Sequence, residues 1–173
     1  MTSTIVTAAL RGGVSIAVLV ALSSTPAFAR DLPGGGRFVS GQGSISKSGS
    51  KGLSINQSST TGIIDWKNFS IGKANTVRFN NGSGATLNRV TGGGLSTIAG
   101  ALRATGTVYL INPEGMIVSR TGRVTTGGDF IGSSRALSDG DIGSHKRRFT
   151  GQSNGAVVNQ GTIRSGGDAV LIG

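Results

Sequence analysis

The chain has 173 residues, of which 31 are glycine, 5% are aromatic and none is cysteine, and its formal net charge is +10. Without cysteine it is no disulfide-stapled scaffold, thiol enzyme or cysteine-ligated metal protein, so packing and backbone hydrogen bonds must supply its stability. Glycine at this density, without a strict every-third repeat, excludes collagen and disfavours helix, where each glycine costs about 1 kcal/mol relative to alanine.

At the start of the chain, Arg11 precedes the apolar run from Val14 to Leu22, and Ala27-Phe28-Ala29 supplies small residues two apart. This is the pattern of an export signal cleaved after Ala29. The run is shorter than the roughly 20 residues that span a bilayer, and an uncleaved anchor is the alternative. Residues 30–173 then amount to one domain. A chain that crosses a second membrane unfolded also benefits from having no thiols to cross-link, although many domains simply lack cysteine.

Arg30 to Lys51 is rich in glycine and serine, with alternation in Arg37-Phe38-Val39-Ser40 and Ser44-Ile45-Ser46, and suits an initial strand pair or cap. Further strands are expected at Gly52 to Gln57, Gly62 to Trp66, Phe69 to Ile71, Thr76 to Asn80 and Thr86 to Val90. The series continues at Val108 to Ile111, Met116 to Ser119, Arg123 to Thr126, Asp129 to Ile131, Val157 to Asn159, Thr162 to Arg164 and Ala169 to Ile172. In Thr76-Val77-Arg78-Phe79-Asn80 the period of two places Val77 and Phe79 inward. Val108 to Ile111 and Ala169 to Ile172 are apolar on both faces, which requires burial on two sides or a covering cap or partner. Leu95 to Ala104 alone has helical spacing, through Leu95, Ile98, Ala99 and Leu102, and reads either as a short helix or as more strand.

An internal echo sets the architecture. Gly122 to Gly132 resembles Gly161 to Gly173, with Gly-Gly-Asp recurring at 127–129 and 166–168, 39 residues on, and a fainter copy begins at Gly84. A fixed interval signals stacked units, and one near twice a twenty-residue turn suits an all-β, right-handed parallel β-helix of the pectate-lyase-like kind with an N-terminal β cap. A β-sandwich is the alternative. The narrow column of a β-helix needs small aliphatic side chains and few aromatics, which agrees with this composition.

Three linked segments carry a family resemblance: Gly62-Ile63-Ile64-Asp65-Trp66-Lys67-Asn68-Phe69-Ser70-Ile71-Gly72 running on to Asn75–Asn80; Leu87-Asn88-Arg89-Val90-Thr91-Gly92 followed by Ser96, Ile98, Gly100 and Leu102; and Gly106-Thr107-Val108-Tyr109-Leu110-Ile111-Asn112-Pro113-Glu114-Gly115-Met116-Ile117. In order and spacing they resemble the haemagglutination-activity domain that begins filamentous haemagglutinin-type exoproteins of two-partner secretion systems. The chain departs from that pattern at Glu114, where asparagine is usual, and lacks an Asn-Pro-Asn-Leu insertion between Phe79 and Leu87.

The resemblance implies an N-terminal secretion and folding-nucleation domain of a larger adhesin or haemagglutinin. Its partners would be the general inner-membrane export machinery and a dedicated outer-membrane β-barrel transporter. The protein would be secreted or displayed at the cell surface after passing through the periplasm. Asn112, Pro113, Glu114 and Gly115 read as a type I turn, with Pro113 presetting φ and Asn112 bonding its own backbone; by resemblance the same corner is a transporter-recognition or folding motif. Trp66, Phe69, Ile71, Val77 and Phe79 read as cap and core residues sealing one end of the column.

His145-Lys146-Arg147-Arg148 is either a solvated loop or a polyanion contact to host-cell glycans through Lys146, Arg147 and Arg148. No specific nucleic-acid role is expected, because the cluster lacks interleaved aromatics. A free-standing glycan-binding module and a carbohydrate-active β-helix remain alternatives. Against catalysis stand seven scattered carboxylates, with Asp139 and Asp141 the one close pair, and a solitary His145, so no catalytic residue, metal or cofactor is expected.

Overall fold

The computed structural model describes residues 32–142 and 147–173. The export-signal segment, His145 and Lys146 lie outside the described residues. A cap opens the domain, formed by β1 (Arg37–Ser40) and β2 (Gly43–Lys47). The two cap strands do not pair with each other. Each lies antiparallel on a different strand of the first turn, β1 on β4 (Thr61–Trp66) and β2 on β3 (Gly52–Gln57).

From β3 onward the chain winds as a parallel coil whose strands stack in register on three faces. The first face continues from β4 through β6 (Ala85–Val90), β9 (Thr107–Ile111), β12 (Phe130–Ser133) and β17 (Ala169–Ile172). The second is narrow, with β7 (Ser96–Ile98), β10 (Met116–Val118) and β15 (Val157–Asn159). The third continues from β3 through β5 (Thr76–Asn80), β8 (Ala101–Ala104), β11 (Arg123–Thr126) and β16 (Thr162–Ser165). No α-helix occurs among the described residues.

Alternation on the faces sends every second side chain into one column. Ile64, Trp66, Val90, Val108, Leu110 and Phe130 enter from the first face; Ile98, Met116 and Val118 from the second; Leu53, Ile55, Val77, Phe79, Leu102 and Val124 from the third. Each such aliphatic or aromatic burial contributes about 1.5–3 kcal/mol. Phe69 and Ile71 join this core without forming the expected strand: Ile71 makes only an isolated parallel bridge to Ile98.

Leu95 to Ala104 is not a helix but two strands on different faces, β7 and β8, joined by a corner at Ala99-Gly100 whose N–H groups both reach the Ile71 carbonyl, at 2.8 and 3.0 Å. Ile98 and Leu102 point inward from separate faces, so the corner imitates helical spacing, while Leu95 remains 46% exposed.

The repeat also resolves differently from the expectation. Stacked partners are 24 residues apart for Thr61 and Ala85, 25 for Thr76 and Ala101, and 22 for Ala85 and Thr107, Ala101 and Arg123, or Val108 and Phe130. Val124 stacks on Ile163 and Ile131 on Val170, 39 residues apart, and this is one turn lengthened by an insertion rather than two turns. The fainter copy at Gly84 is no stacking partner of Gly122, since Gly84 precedes a first-face strand and Gly122 a third-face strand.

That insertion leaves the column after β12 and folds over the outer side of the first face. It holds β13 (Ala136–Leu137), a 3-10 turn at Asp139–Asp141 and β14 (Phe149–Thr150), with β13 and β14 antiparallel. Leu137, Ile142 and Phe149 cover Ile63, Leu87, Tyr109, Ile111 and Ile131. The first face is therefore buried on both sides around β9, as the two-sided apolar run at 108–111 requires. Ala169 to Ile172 on β17, expected to be covered likewise, instead alternate between exposed and half-buried, because nothing among the described residues lies beyond that edge strand.

Candidate functional site

Trp66 ends β4, the first strand of the first face, and is 1% exposed. Its ring meets Phe69 edge to face, with centroids 5.4 Å apart and planes at 85°, an arrangement contributing about 0.5–1.5 kcal/mol beyond burial. Gly36 of the cap lies flat against the indole, where any Cβ would collide with the ring. The indole Nε1–H donates to Asn88 Oδ1 at 3.0 Å, and Asn88 Nδ2 donates to the Tyr109 carbonyl of the following turn at 3.1 Å. Cap, first turn and second turn are thus tied around one side chain. Ile71, Val77 and Phe79 are fully buried beside it.

The Asn112-Pro113-Glu114-Gly115 corner lies elsewhere, between the first and second faces. The Gly115 N–H closes the turn on the Asn112 carbonyl at 2.8 Å, and Asn112 Oδ1 accepts from the Glu114 N–H at 3.0 Å. Asn112 Nδ2 donates backward to the Gly94 carbonyl at 3.0 Å and to Ser96 Oγ at 2.8 Å. Gly115 has φ 92, in the left-handed region that favours glycine. The next turn docks on this corner, with Ser153 Oγ donating to the Pro113 carbonyl at 2.5 Å and the Met116 N–H donating to the Ala156 carbonyl at 2.9 Å. Only Pro113 and Glu114 face solvent.

A ladder of polar side chains that sequence reasoning missed runs up the corner between the third and first faces. Thr86 Oγ1 donates to Gln57 Oε1 at 2.8 Å, Asn81 Oδ1 accepts from the Gly106 N–H at 2.8 Å, Thr107 Oγ1 from the Asp129 N–H at 3.0 Å, and Asp129 Oδ1 from the Asp168 N–H at 2.8 Å. The Gly-Gly-Asp echo is two steps of this ladder. Burial works to raise the Asp129 carboxyl, but the Asp168 N–H and the Arg147 guanidinium outweigh it and hold the group below its ordinary value.

The three basic positions separate. Arg147 turns inward, pairs with Asp129 and lies over the Tyr109 ring, 5.6 Å from its centroid, so its charge fastens the insertion to the column. Arg148 is exposed, and Lys146 lies outside the described residues. A second clamp is Arg89, which holds Asp65 at 2.8 Å and Asp139 at 2.6 Å. No group of three or more histidine, cysteine or acidic side chains capable of holding a metal occurs among the described residues.

A capped three-faced coil bearing these motifs has counterparts among known proteins. A family model described as the TPS secretion domain matches residues 29–173. The chain belongs to this family. Two heme/hemopexin-binding proteins of Haemophilus influenzae resemble this TPS domain in sequence. That of strain ATCC 51907 / DSM 11121 / KW20 / Rd is 36% identical over 144 residues, covering 81% of this chain and 16% of the relative. The other is 35% identical over 132 residues, covering 75% and 14%. The crystal structure of the HMW1 secretion domain from Haemophilus influenzae superposes with a TM-score of 0.68 at 30% identity, covering 77% of this chain and 36% of that one. The TPS domain spans about a sixth of the length of the curated relatives it matches. It is the secretion domain of an exoprotein, and membership implies an outer-membrane transporter as partner.

Proposed function

We propose that the outer-membrane transporter captures this segment in extended form and that the segment then becomes the template on which the rest of the exported protein folds. The general export machinery of the inner membrane delivers it, with the leader removed near Ala29, and the longer parent acts at the cell surface or beyond in adhesion, haemagglutination or competition. No catalytic step belongs to the domain.

The observation that carries this reading is the sealed first turn. Trp66, Phe69, Ile55 and Ile64 are at most 1% exposed under the cap. Each later turn closes on partners mostly 22–25 residues back, so a rung docks as soon as that length has emerged. Docked rungs oppose backward sliding without nucleotide hydrolysis. The test is to co-express the chain with its transporter and follow it outside the cell. Deleting residues 30–79 is expected to abolish release and leave a periplasmic pool; undiminished release of the deleted chain would refute the reading.

A further inference from the structure

The third face carries one outward arginine on each of four consecutive strands: Arg78 on β5, Arg103 on β8, Arg123 on β11 and Arg164 on β16. Arg78 and Arg103 are direct cross-strand partners. Arg123 pairs with Ala101 and Thr162, which sets it two residues off Arg103 on one side and off Arg164 on the other. The four therefore zigzag up the column at the strand spacing of about 4.8 Å. All are exposed, and among the described residues none of the four guanidinium groups makes a hydrogen bond or an ion pair.

Like charges directly opposite on a sheet are destabilising, and where this protein does pair arginines, Arg89 holds Asp65 and Asp139 and Arg147 holds Asp129. The strands of the third face contain no acidic residue at all. Shallow grooves separate the arginines, one lined by Arg78, Asn80, Arg103, Thr105 and Thr125, the next by Arg103, Arg123, Thr125, Thr162 and Arg164. Hydroxyl and amide groups thus alternate with guanidinium groups.

We propose that this arginine strip binds a linear anionic polysaccharide, sulfated or uronate-bearing, laid along the column axis. Guanidinium groups match sulfate and carboxylate through paired N–H donors, and the flanking threonines and Asn80 suit sugar hydroxyls. Single-stranded nucleic acid fits less well because the strip's outward positions hold no aromatic side chain on which bases stack. A membrane surface fits less well because those positions carry no large apolar side chain to insert.

Purified mature chain is tested on heparin as probe, a readout independent of secretion. Changing all four residues, R78Q/R103Q/R123Q/R164Q, is expected to weaken binding at least about tenfold near physiological salt and to flatten its salt dependence. A variant with the same charge removed from exposed positions off the strip, R37Q/K67Q/R120Q/R135Q, is expected to lose less than about threefold. Thermal melts confirm that the variants are folded, and the double variant R103Q/R123Q gives a smaller loss in the same direction if the fourfold variant misfolds. Equal losses in the strip and off-strip variants would reduce the effect to net charge and overturn the site. So would wild-type binding to duplex DNA or phosphatidylserine vesicles as tight as to heparin with the same strip dependence.

Discussion

Asn112 is fully buried, yet its side chain is satisfied in three directions, holding Gly94 and Ser96 of one turn and Glu114 of its own corner. Replacing it with alanine removes all three bonds, opens a gap at a fully buried position and takes from the buried Ser96 hydroxyl its partner, where an unmet buried group costs about 1–3 kcal/mol. Asn112→Ala is expected to lose about 2–4 kcal/mol by denaturant unfolding. Glu114, two positions further along the turn, faces solvent, and Glu114→Ala should stay within about 0.5 kcal/mol of the parent. The pair separates folding from recognition: a secretion defect in Glu114→Ala with unchanged stability assigns the exposed half of the turn to the transporter. Trp66 and Asn88 follow the same logic. The alternation Thr86-Leu87-Asn88-Arg89-Val90 places Asn88 inward with Val90, and that is the signal by which an indole partner was detectable in the sequence.

At the scale of elements, the insertion is fastened to the column by side chains far apart in sequence, Arg89 with Asp139 and Arg147 with Asp129. Because the Asp129 carboxyl is lowered in the folded state, its contribution is complete above the ordinary aspartate value of 3.8 and is lost as pH falls through the lower folded value. The melting temperature is therefore expected to drop in acid, and Asp129→Asn to lie below the parent at neutral pH with the gap closing below about pH 3.8. Thermal melts across that range check both. Strands at 52–57, 76–80, 123–126, 157–159 and 169–172 were legible to the residue, because glycine punctuation and alternation are local properties. The split of 95–104 into two strands was not, since a corner with inward Ile98 and Leu102 copies the spacing of a helix. The insertion was illegible too: its polar loop acquires meaning only from Leu137, Ile142 and Phe149 meeting a face built by residues 63–131. The 39-residue echo revealed stacking while concealing its period, which the shorter intervals of the unlengthened turns supply.

For the whole molecule, the two ends of the column differ. At the first turn Leu53, Ile55, Ile64 and Trp66 are at most 7% exposed, because antiparallel β1 and β2 block addition of a parallel strand. At the last turn Val157, Ile163 and Val170 are only half buried and Leu171 is 37% exposed. The capped end thus offers no parallel edge, whereas β15, β16 and β17 are edge strands of their sheets. Deleting residues 157–173 moves the open end back by one turn and leaves cap and column in place, so a cooperative melt at a lower temperature is expected. Deleting residues 32–47 instead bares the Trp66 cluster and the paired edges of β3 and β4, and is expected to give soluble aggregates by size-exclusion chromatography and to abolish the cooperative melt. Circular dichroism on both truncations decides the matter: if they lose stability equally, the cap is one more rung, and folding has no preferred starting end.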